Sequence, residues 1–204
     1  MRKYLENRLK QVYPTGAVWE RSDEFLGQDD YEGRLRYIFA TLQETLPIRI
    51  YPERWDEPSD IIAITHTQSP SFDSWIWQLS NEEKIKWINS NGPYVVLWLR
   101  VSRVADFYYY YFNHWKPRAE TGYLDADCNE KPSPIWAGYA KSIEHQLTEQ
   151  GFLLTTPDFE QQRVPFLMAW GGRDIPDNDP RWDDDEFEPP PVEATIYECL
   201  FGDP

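Results

Sequence analysis

The stretch YVVLWLRVSRVADFYYYYFNHW, residues 94–115, decides the fold of this chain. Its first part, residues 94–101, is aliphatic or aromatic apart from Arg100, with apolar side chains on both faces. Such a pattern is typical of a central strand that is covered on each side. Residues 106–115 predict its antiparallel neighbour, also covered on both sides. Because side chains alternate along a strand, two sets lie on its opposite faces: Phe107, Tyr109, Tyr111 and Asn113 on one, and Tyr108, Tyr110, Phe112 and His114 on the other.

Two helices are predicted before this pair of strands. Residues 2–12 place leucines and a valine at helical spacing, ahead of a proline and a glycine that stop the helix. Residues 31–46 carry one apolar stripe at the same period, and Pro47 ends it. After them, residues 48–55 predict a short extended piece and residues 60–65 a buried strand.

Two further helices carry capping signals. Ser80 is followed three residues later by Glu83, which is the capping-box pattern and predicts a short helix before the central strand. Ser133 ahead of Pro134 predicts the start of a longer helix, and Gly151 fits its end. The buried stripe expected on this longer helix is Ile135, Tyr139, Ile143 and Leu147.

The rest of the chain predicts three strands and an acidic, proline-rich surface loop. The strands are residues 152–156, 164–170 and 195–201, the last of them at a sheet edge, and the loop is residues 174–193. The order of elements predicts an α+β fold in a single domain, residues 1–204. We expect a mixed or mainly antiparallel sheet, covered by about four helices, with the loop preceding a C-terminal strand.

The chain carries a surplus of negative charge. Thirty-five Asp and Glu face 20 Lys and Arg, which leaves a formal net charge of −15 at pH 7. In residues 174–188, here called the acidic segment, eight of fifteen residues are acidic and Arg181 is the only basic one. Such a surface repels nucleic-acid phosphates and anionic lipids and attracts basic protein surfaces. The charge therefore predicts a basic protein partner, and neither nucleic acid nor membrane.

No motif for catalysis, for a cofactor or for a metal is complete. Asp125, Asp127 and Asn129 match alternate ligand positions of a calcium loop, but Glu130 stands where glycine is required and Trp136 where a bidentate Glu belongs. The three histidines are not spaced as zinc ligands, and no nucleophile elbow or phosphate-binding loop occurs. We predict no cofactor, no metal and no catalytic residue from these motifs. A divalent cation at the clustered carboxylates of the acidic segment stays open.

Cysteine usage and hydropathy bear on the compartment. Cys128 and Cys199 lie far apart in the sequence, and whether they pair is left open at this point. The basic N-terminal stretch is followed by no apolar core of a signal peptide, and no run approaches the roughly 18 apolar residues that span a bilayer. These features predict a soluble protein of a reducing cytoplasm.

Taken together, these features predict a non-catalytic acidic module that binds another protein. The concrete hypothesis is an immunity-type inhibitor from a bacterial competition system, which neutralises a basic toxin or nuclease by covering its surface. Aromatic side chains within a charged surround are typical of interface anchors. The expected partner-binding residues are Trp182, Asp183, Asp184, Asp185, Glu186 and Phe187.

Alternatives from other classes stay open. One is a hydrolase-type enzyme whose site is assembled from distant residues around the strand at 106–115. It predicts a cavity of convergent polar groups that includes His114 or Asp106. Another is a subunit or self-assembly protein, in which residues 195–201 and the aromatic strands bury against a sister chain. A nucleic-acid mimic, with carboxylates spaced like phosphates, is a variant of the protein-binding hypothesis.

Overall fold

The computed structural model describes residues 2–26, 30–53, 59–117, 124–176, 179–183 and 187–202. Their secondary structure gives the α+β fold that the sequence predicts. The α-helices are α1 (Arg2–Val12), α2 (Tyr31–Thr45), α3 (Asn81–Asn91), α4 (Pro134–Glu149), α5 (Pro157–Glu160) and α6 (Ile196–Phe201). The strands are β1 (Ile48–Glu53), β2 (Ser59–His66), β3 (Tyr94–Ser102), β4 (Phe107–Pro117), β5 (Leu124–Asp127), β6 (Leu153–Leu154), β7 (Arg163–Ala169) and β8 (Val192–Thr195).

The main sheet is built around the predicted pair of strands. β3 and β4 are antiparallel, from Tyr94 opposite Trp115 to Val101 opposite Tyr108. β2 pairs with the other edge of β3, β1 lies beyond β2, and β5 pairs with β4, each time antiparallel. The two-residue β6 adds a short parallel pairing to β4. The prediction of a mainly antiparallel sheet with residues 94–101 at its centre is confirmed.

One face of this sheet packs against α2 and α4. Tyr108 and Phe112 of β4 lie there among buried aliphatic side chains of β2 and β3. Helix α2 contributes its predicted apolar stripe, with Leu35, Ile38 and Leu42 buried. This layer is the largest hydrophobic core of the described chain, and it fixes α2 and α4 against the central strands.

On α4 the predicted stripe is wrong at its first position. Ile143 and Leu147 are buried as expected, but Ile135 is 63% exposed. Trp136 is buried instead and meets the ring of Phe112 edge-on, with the ring centroids 6.1 Å apart. The larger ring of Trp136 fills the space next to β4. The first buried position of the helix is therefore one residue later than predicted.

Two separate groups of elements cover the opposite face of the sheet. Near the start of β4, Phe107 packs in a core formed with α1, the β7–β8 pair and α6. Near the other end, a π-helical turn at Ser74–Gln78 and helix α3 lie over β3, and the Trp75 ring stacks on Tyr94 with centroids 4.1 Å apart. The expected cover on both faces is confirmed. The tyrosines also reach polar partners, since the hydroxyl of Tyr109 lies 3.0 Å from that of Tyr197.

The capping box predicted at Ser80 is present at the start of α3. The Oγ of Ser80 accepts a hydrogen bond from the backbone N–H of Glu83 at 3.3 Å, and the Ser80 N–H donates to Glu83 Oε2 at 2.9 Å. These bonds lower the pKa of the Glu83 carboxyl, the bond from the Ser80 backbone most. Local hydrogen bonding of this kind is visible in a sequence because its partners are three residues apart.

The strand predicted at residues 195–201 is wrong. β8 ends at Thr195, and α6 begins at the next residue. The Oγ1 of Thr195 accepts from the Glu198 N–H at 3.3 Å, and the Thr195 N–H donates to Glu198 Oε2 at 2.6 Å. A second capping box therefore starts a helix whose buried side chains include Cys199 and Phe201. This local bonding outweighs the strand preference of the β-branched and aromatic residues in the segment.

Other differences are smaller. The strand predicted at 152–156 is reduced to the two residues of β6, and the one at 164–170 forms β7, which pairs with β8 rather than with the main sheet. The short strand β5 at Leu124–Asp127 has no counterpart in the sequence prediction. The π-helical turn has no counterpart in the sequence prediction.

Candidate functional site

The predicted partner-binding residues fall partly outside the described chain. Asp184, Asp185 and Glu186 lie outside the described residues. Trp182 and Asp183 close a 3-10 turn over Pro180–Asp183, and of these two residues only the backbone is described. Phe187 is half-buried. The structure thus describes residues 179–183, which end at the first acid of the triplet at 183–185, and the chain from Phe187 onwards. The role of the triplet stays a prediction.

The only basic residue of the acidic segment is engaged within the segment itself. The guanidinium of Arg181 donates from Nε to Asp179 Oδ1 and from Nη2 to Asp179 Oδ2, each at 2.9 Å. The side-chain hydrogen bond from Arg181 is the largest cause that lowers the pKa of the Asp179 carboxyl to about 2. The same guanidinium lies over the ring of Phe187, with its Cζ 5.3 Å from the ring centroid. Arg181 therefore joins the two flanks of the triplet.

One exposed tryptophan, Trp170, precedes this segment in the chain, and a second, Trp19, follows a bridge to the strand before it. Trp170, which is 47% exposed, directly precedes a 3-10 turn at Gly171–Asp174 that leads into the segment. Its ring lies so close over Gly172 that a Cβ atom at that position would stand 2.2 Å from the ring. Ala17 forms a parallel bridge with Met168, so the chain leaves this bridge in the same direction at Trp19 and at Trp170. Trp19 is 46% exposed. Indole surface of this kind is frequent at protein interfaces.

A polar cavity of about 350 Å³ lies on another part of the molecule, between α1, the start of α2 and the turn from β3 to β4. Sequence reasoning missed it, because its charged side chains come from positions far apart in the chain. The name arginine cavity is used here for the space that Arg8, Arg34 and Arg103 line together with Asp106. The other lining residues are Tyr4, Asn7, Gln11, Tyr31, Ser102, Val104 and Ala105.

Arg34 is held in place on three sides. Its Nη2 donates to Asp106 Oδ1 at 2.7 Å, and its Nη1 donates to the backbone carbonyl of Gln150 at 3.2 Å. Its Cζ lies 4.5 Å from the centroid of the Phe152 ring, in cation–π contact. Its Nε is buried and has no hydrogen-bond acceptor among the residues that the structure describes.

The other two arginines of the cavity differ in their bonding. Arg8 is fixed by backbone carbonyls, with Nε donating to Val104 at 2.7 Å and Nη2 to Phe25 at 2.5 Å. Arg103 is half-buried, and its Nε is also buried without an acceptor in the described part of the chain. The cavity thus brings three cations and one carboxylate together in a chain whose overall charge is strongly negative.

Of the two residues named for the enzyme alternative, the structure places one in the cavity. Asp106 lines it and forms the ion pair with Arg34. His114 is 3% exposed on β4, packs near the Phe112 ring and does not line this cavity. The Asp106 carboxylate already accepts a hydrogen bond from the Arg34 guanidinium at 2.7 Å. The arrangement suits the binding of an anion better than acid–base chemistry.

The remaining titratable candidates do not converge. His66 stacks on Tyr139, and His145 pairs with Glu149 one helical turn away. In the described ranges, no group of three or more His, Cys, Asp or Glu is arranged to hold a metal ion. Cys128 is exposed and Cys199 is buried, and the two are not joined by a disulfide.

The comparisons with known proteins give no assignment. No protein-family model, no curated protein and no solved structure matches the chain. Within the described residues, no helix has the length and apolar character needed to cross a membrane. The functional argument therefore rests on the acidic segment and the arginine cavity alone.

Proposed function

We propose that this protein is a non-catalytic acidic module that binds a basic protein through the acidic segment. The concrete form of the proposal is an immunity-type inhibitor of bacterial origin, acting in the cytoplasm, which covers the basic surface of a toxin or nuclease. The observation that carries it is the placement of Arg181. Asp179 and Phe187 hold this side chain, so the single basic residue among the fifteen residues of the segment, which carry eight acids, is paired with an acid two residues away.

Such a surface speeds association with a basic partner. A charge of −15 creates a long-range attraction for a basic protein, and clustered carboxylates focus that attraction on one side of the molecule. The attraction is screened by salt over about 8 Å at physiological ionic strength. The association rate should therefore fall steeply as the salt concentration rises.

Aromatic side chains beside the segment supply the contacts that slow dissociation. Trp170 precedes the segment in the chain, Trp19 follows the bridge from Ala17 to Met168, and both are about half exposed, while Phe187 is partly covered by the Arg181 guanidinium. Buried aromatic anchors dominate the binding energy of many interfaces, and the charges around them act mainly on the association rate. We expect acid variants to change association and tryptophan variants to change dissociation.

Residues 195–201 do not support the self-assembly alternative. The side chains that this alternative needs on the surface, among them Cys199, Leu200 and Phe201, are buried in the protein's own core. The nucleic-acid mimic stays a variant of the proposal, since it differs only in the nature of the basic partner.

The test begins with affinity capture from a lysate of the source organism, with mass spectrometry to identify the captured protein. The association rate of that protein is then measured by stopped flow for the wild-type chain and for the triple variant Asp183→Asn, Asp184→Asn, Asp185→Asn. We expect association about tenfold slower at low salt, with a flatter salt dependence, since three charges are removed from the docking surface.

The matched control removes three exposed acids elsewhere, by Glu44→Gln, Glu82→Gln and Asp158→Asn. Both variants have the same net charge, so a local role for the segment predicts a loss for the first and a much smaller loss for the second. Equal losses would show that only the total charge matters. Unchanged rates in both would remove the acidic segment from the mechanism.

A further inference from the structure

We propose that the arginine cavity is a binding site for a small ligand that carries an oxyanion, a carboxylate or a phosphate, and that Arg34 and Arg103 hold this group. The site is separate from the acidic segment and independent of the proposed protein partner. No sequence motif predicts this site, because its cations come from α1, from α2 and from the turn after β3.

Two arginines that line the cavity each have a buried donor without a partner among the residues that the structure describes. The Nε–H groups of Arg34 and Arg103 are removed from solvent, and neither has an acceptor in the described chain. A buried donor that lacks a partner costs about 1–3 kcal/mol, and more when it belongs to a charged group. An oxyanion in the cavity would meet the accessible part of these two guanidinium side chains, since Arg34 is 23% exposed and Arg103 is half-buried, and hydrogen bonds between guanidinium and oxyanion are among the stronger ones in proteins.

Two of the three cations in the cavity are held in place. Arg34 is fixed by Asp106, by the Gln150 carbonyl and by the Phe152 ring, and Arg8 by two backbone carbonyls. Ordering a long side chain on binding costs about 0.5–1.5 kcal/mol. Because Arg34 and Arg8 are already ordered, a ligand would gain most of its hydrogen-bond energy without that cost.

The sign of the local charge in the cavity also favours an anion. Three guanidinium groups and one carboxylate leave the cavity net positive, although the chain as a whole carries −15. The repulsion from distant acids is screened over about 8 Å at physiological salt, whereas contacts inside a partly buried site are screened much less. The local arginines therefore decide which ligand is bound.

The size of the cavity limits the ligand to a small molecule. Its volume of about 350 Å³ lies near the lower end of ordinary small-molecule sites, roughly 300–1,000 Å³. Tyr4, Asn7 and Gln11 of α1 line the same space and offer donors and acceptors for hydroxyl or amide groups. A small polar metabolite with one anionic group fits this lining.

The direct test follows the Nε–Hε signals of the arginines by ¹H–¹⁵N NMR while a probe anion is added to the full chain. The probes are inorganic phosphate and malonate, and sodium chloride at matched ionic strength is the control. We expect the signals of Arg34 and Arg103 to shift and to saturate with phosphate, with malonate, or with both. Saturation with only one probe would assign the ligand class. Shifts no larger than those with chloride would overturn the proposal.

The variant Arg103→Gln tests the site at a half-buried arginine whose Nε has no acceptor in the described chain. We expect it to weaken binding of the effective probe about tenfold, since one charge-assisted hydrogen bond is lost. Lys141→Gln removes one exposed cation from α4, outside the cavity, and should leave the affinity unchanged. Equal affinity in Arg103→Gln and wild type would contradict the assignment of Arg103 to the site.

Discussion

The acidic segment and the arginine cavity carry opposite charges, and they are assembled in opposite ways. The acids follow one another in the chain, eight within fifteen residues, whereas Arg8, Arg34 and Arg103 come from three distant positions. In the segment, Arg181 is bound by a neighbour two residues away. In the cavity, Arg34 is bound by Asp106 and Gln150, 72 and 116 residues away. The bonds of Arg34 are therefore tertiary contacts, whereas the pair of Arg181 and Asp179 is local.

This difference separates two kinds of charged site. Acids that are contiguous in the sequence stay close together in the folded and in the unfolded chain. Their charge therefore does not depend on tertiary contacts. Charge assembled from distant positions exists only in the folded state, and removing it disturbs the structure as well as the site. We therefore expect a change at Arg34, which is bonded to distant parts of the chain, to act on stability, and changes in the acidic segment to act on binding rates.

The largest expected effect is that of Arg34→Met on stability. The substitution removes hydrogen bonds to Asp106 and to the Gln150 carbonyl and the contact with Phe152, so we expect the free energy of unfolding to fall by about 3 kcal/mol. The acid-triplet variant of residues 183–185 should change it by less than about 0.5 kcal/mol. Urea unfolding measures both, and similar values for the two variants would contradict the distinction between the regions.

A smaller effect is expected for Asp106→Asn. The amide keeps an oxygen that accepts from Arg34 but loses the charge, so we expect a loss of about 1 kcal/mol in stability. The same change removes the only carboxylate of the cavity and should tighten the binding of phosphate or malonate about threefold. Calorimetric titration of the variant measures the second effect, and weaker binding would show that the site needs the charged carboxylate to hold Arg34 in place.

The smallest expected effect concerns the pH response of the acidic segment. In the folded chain the Asp179 carboxyl has a pKa of about 2, below its ordinary value, because Arg181 donates hydrogen bonds to it. The pair therefore adds stability above the ordinary pKa, near 4, and that contribution is lost as the pH falls from about 4 to 2. An NMR titration of the Asp179 carboxyl should show this low pKa, and Arg181→Gln should return it to the ordinary range. An unchanged pKa in the variant would place the cause elsewhere.

The parts of the fold that the sequence predicts are those with short-range or strongly periodic signals. The central strand, its aromatic neighbour and the capping box at Ser80 are all confirmed. The second capping box, Thr195 with Glu198, has the same spacing and was hidden by the strand-forming residues around it. At this position the capping-box spacing of Thr195 and Glu198 predicts the helix correctly, whereas the strand propensity of the residues predicts the wrong structure.

The candidate sites divide along the same line. The acidic segment is evident from composition, and the predicted role of residues 182–187 rests on that composition alone. The arginine cavity required the tertiary structure, since nothing in the local sequence around Arg8, Arg34 or Arg103 marks these three residues out. Ile135 shows the same limit in the core, because the choice between it and Trp136 depends on the ring of Phe112 on another element.

The most direct test of this account is the affinity for the effective probe anion, phosphate or malonate, in the wild type, in Arg103→Gln and in the acid-triplet variant, measured under one set of conditions. The account predicts that Arg103→Gln loses about tenfold while the triplet variant stays within about twofold of the wild type. If the triplet variant gained as much affinity as Arg103→Gln lost, anion binding would follow the net charge of the chain, and the arginine cavity would not be a separate site.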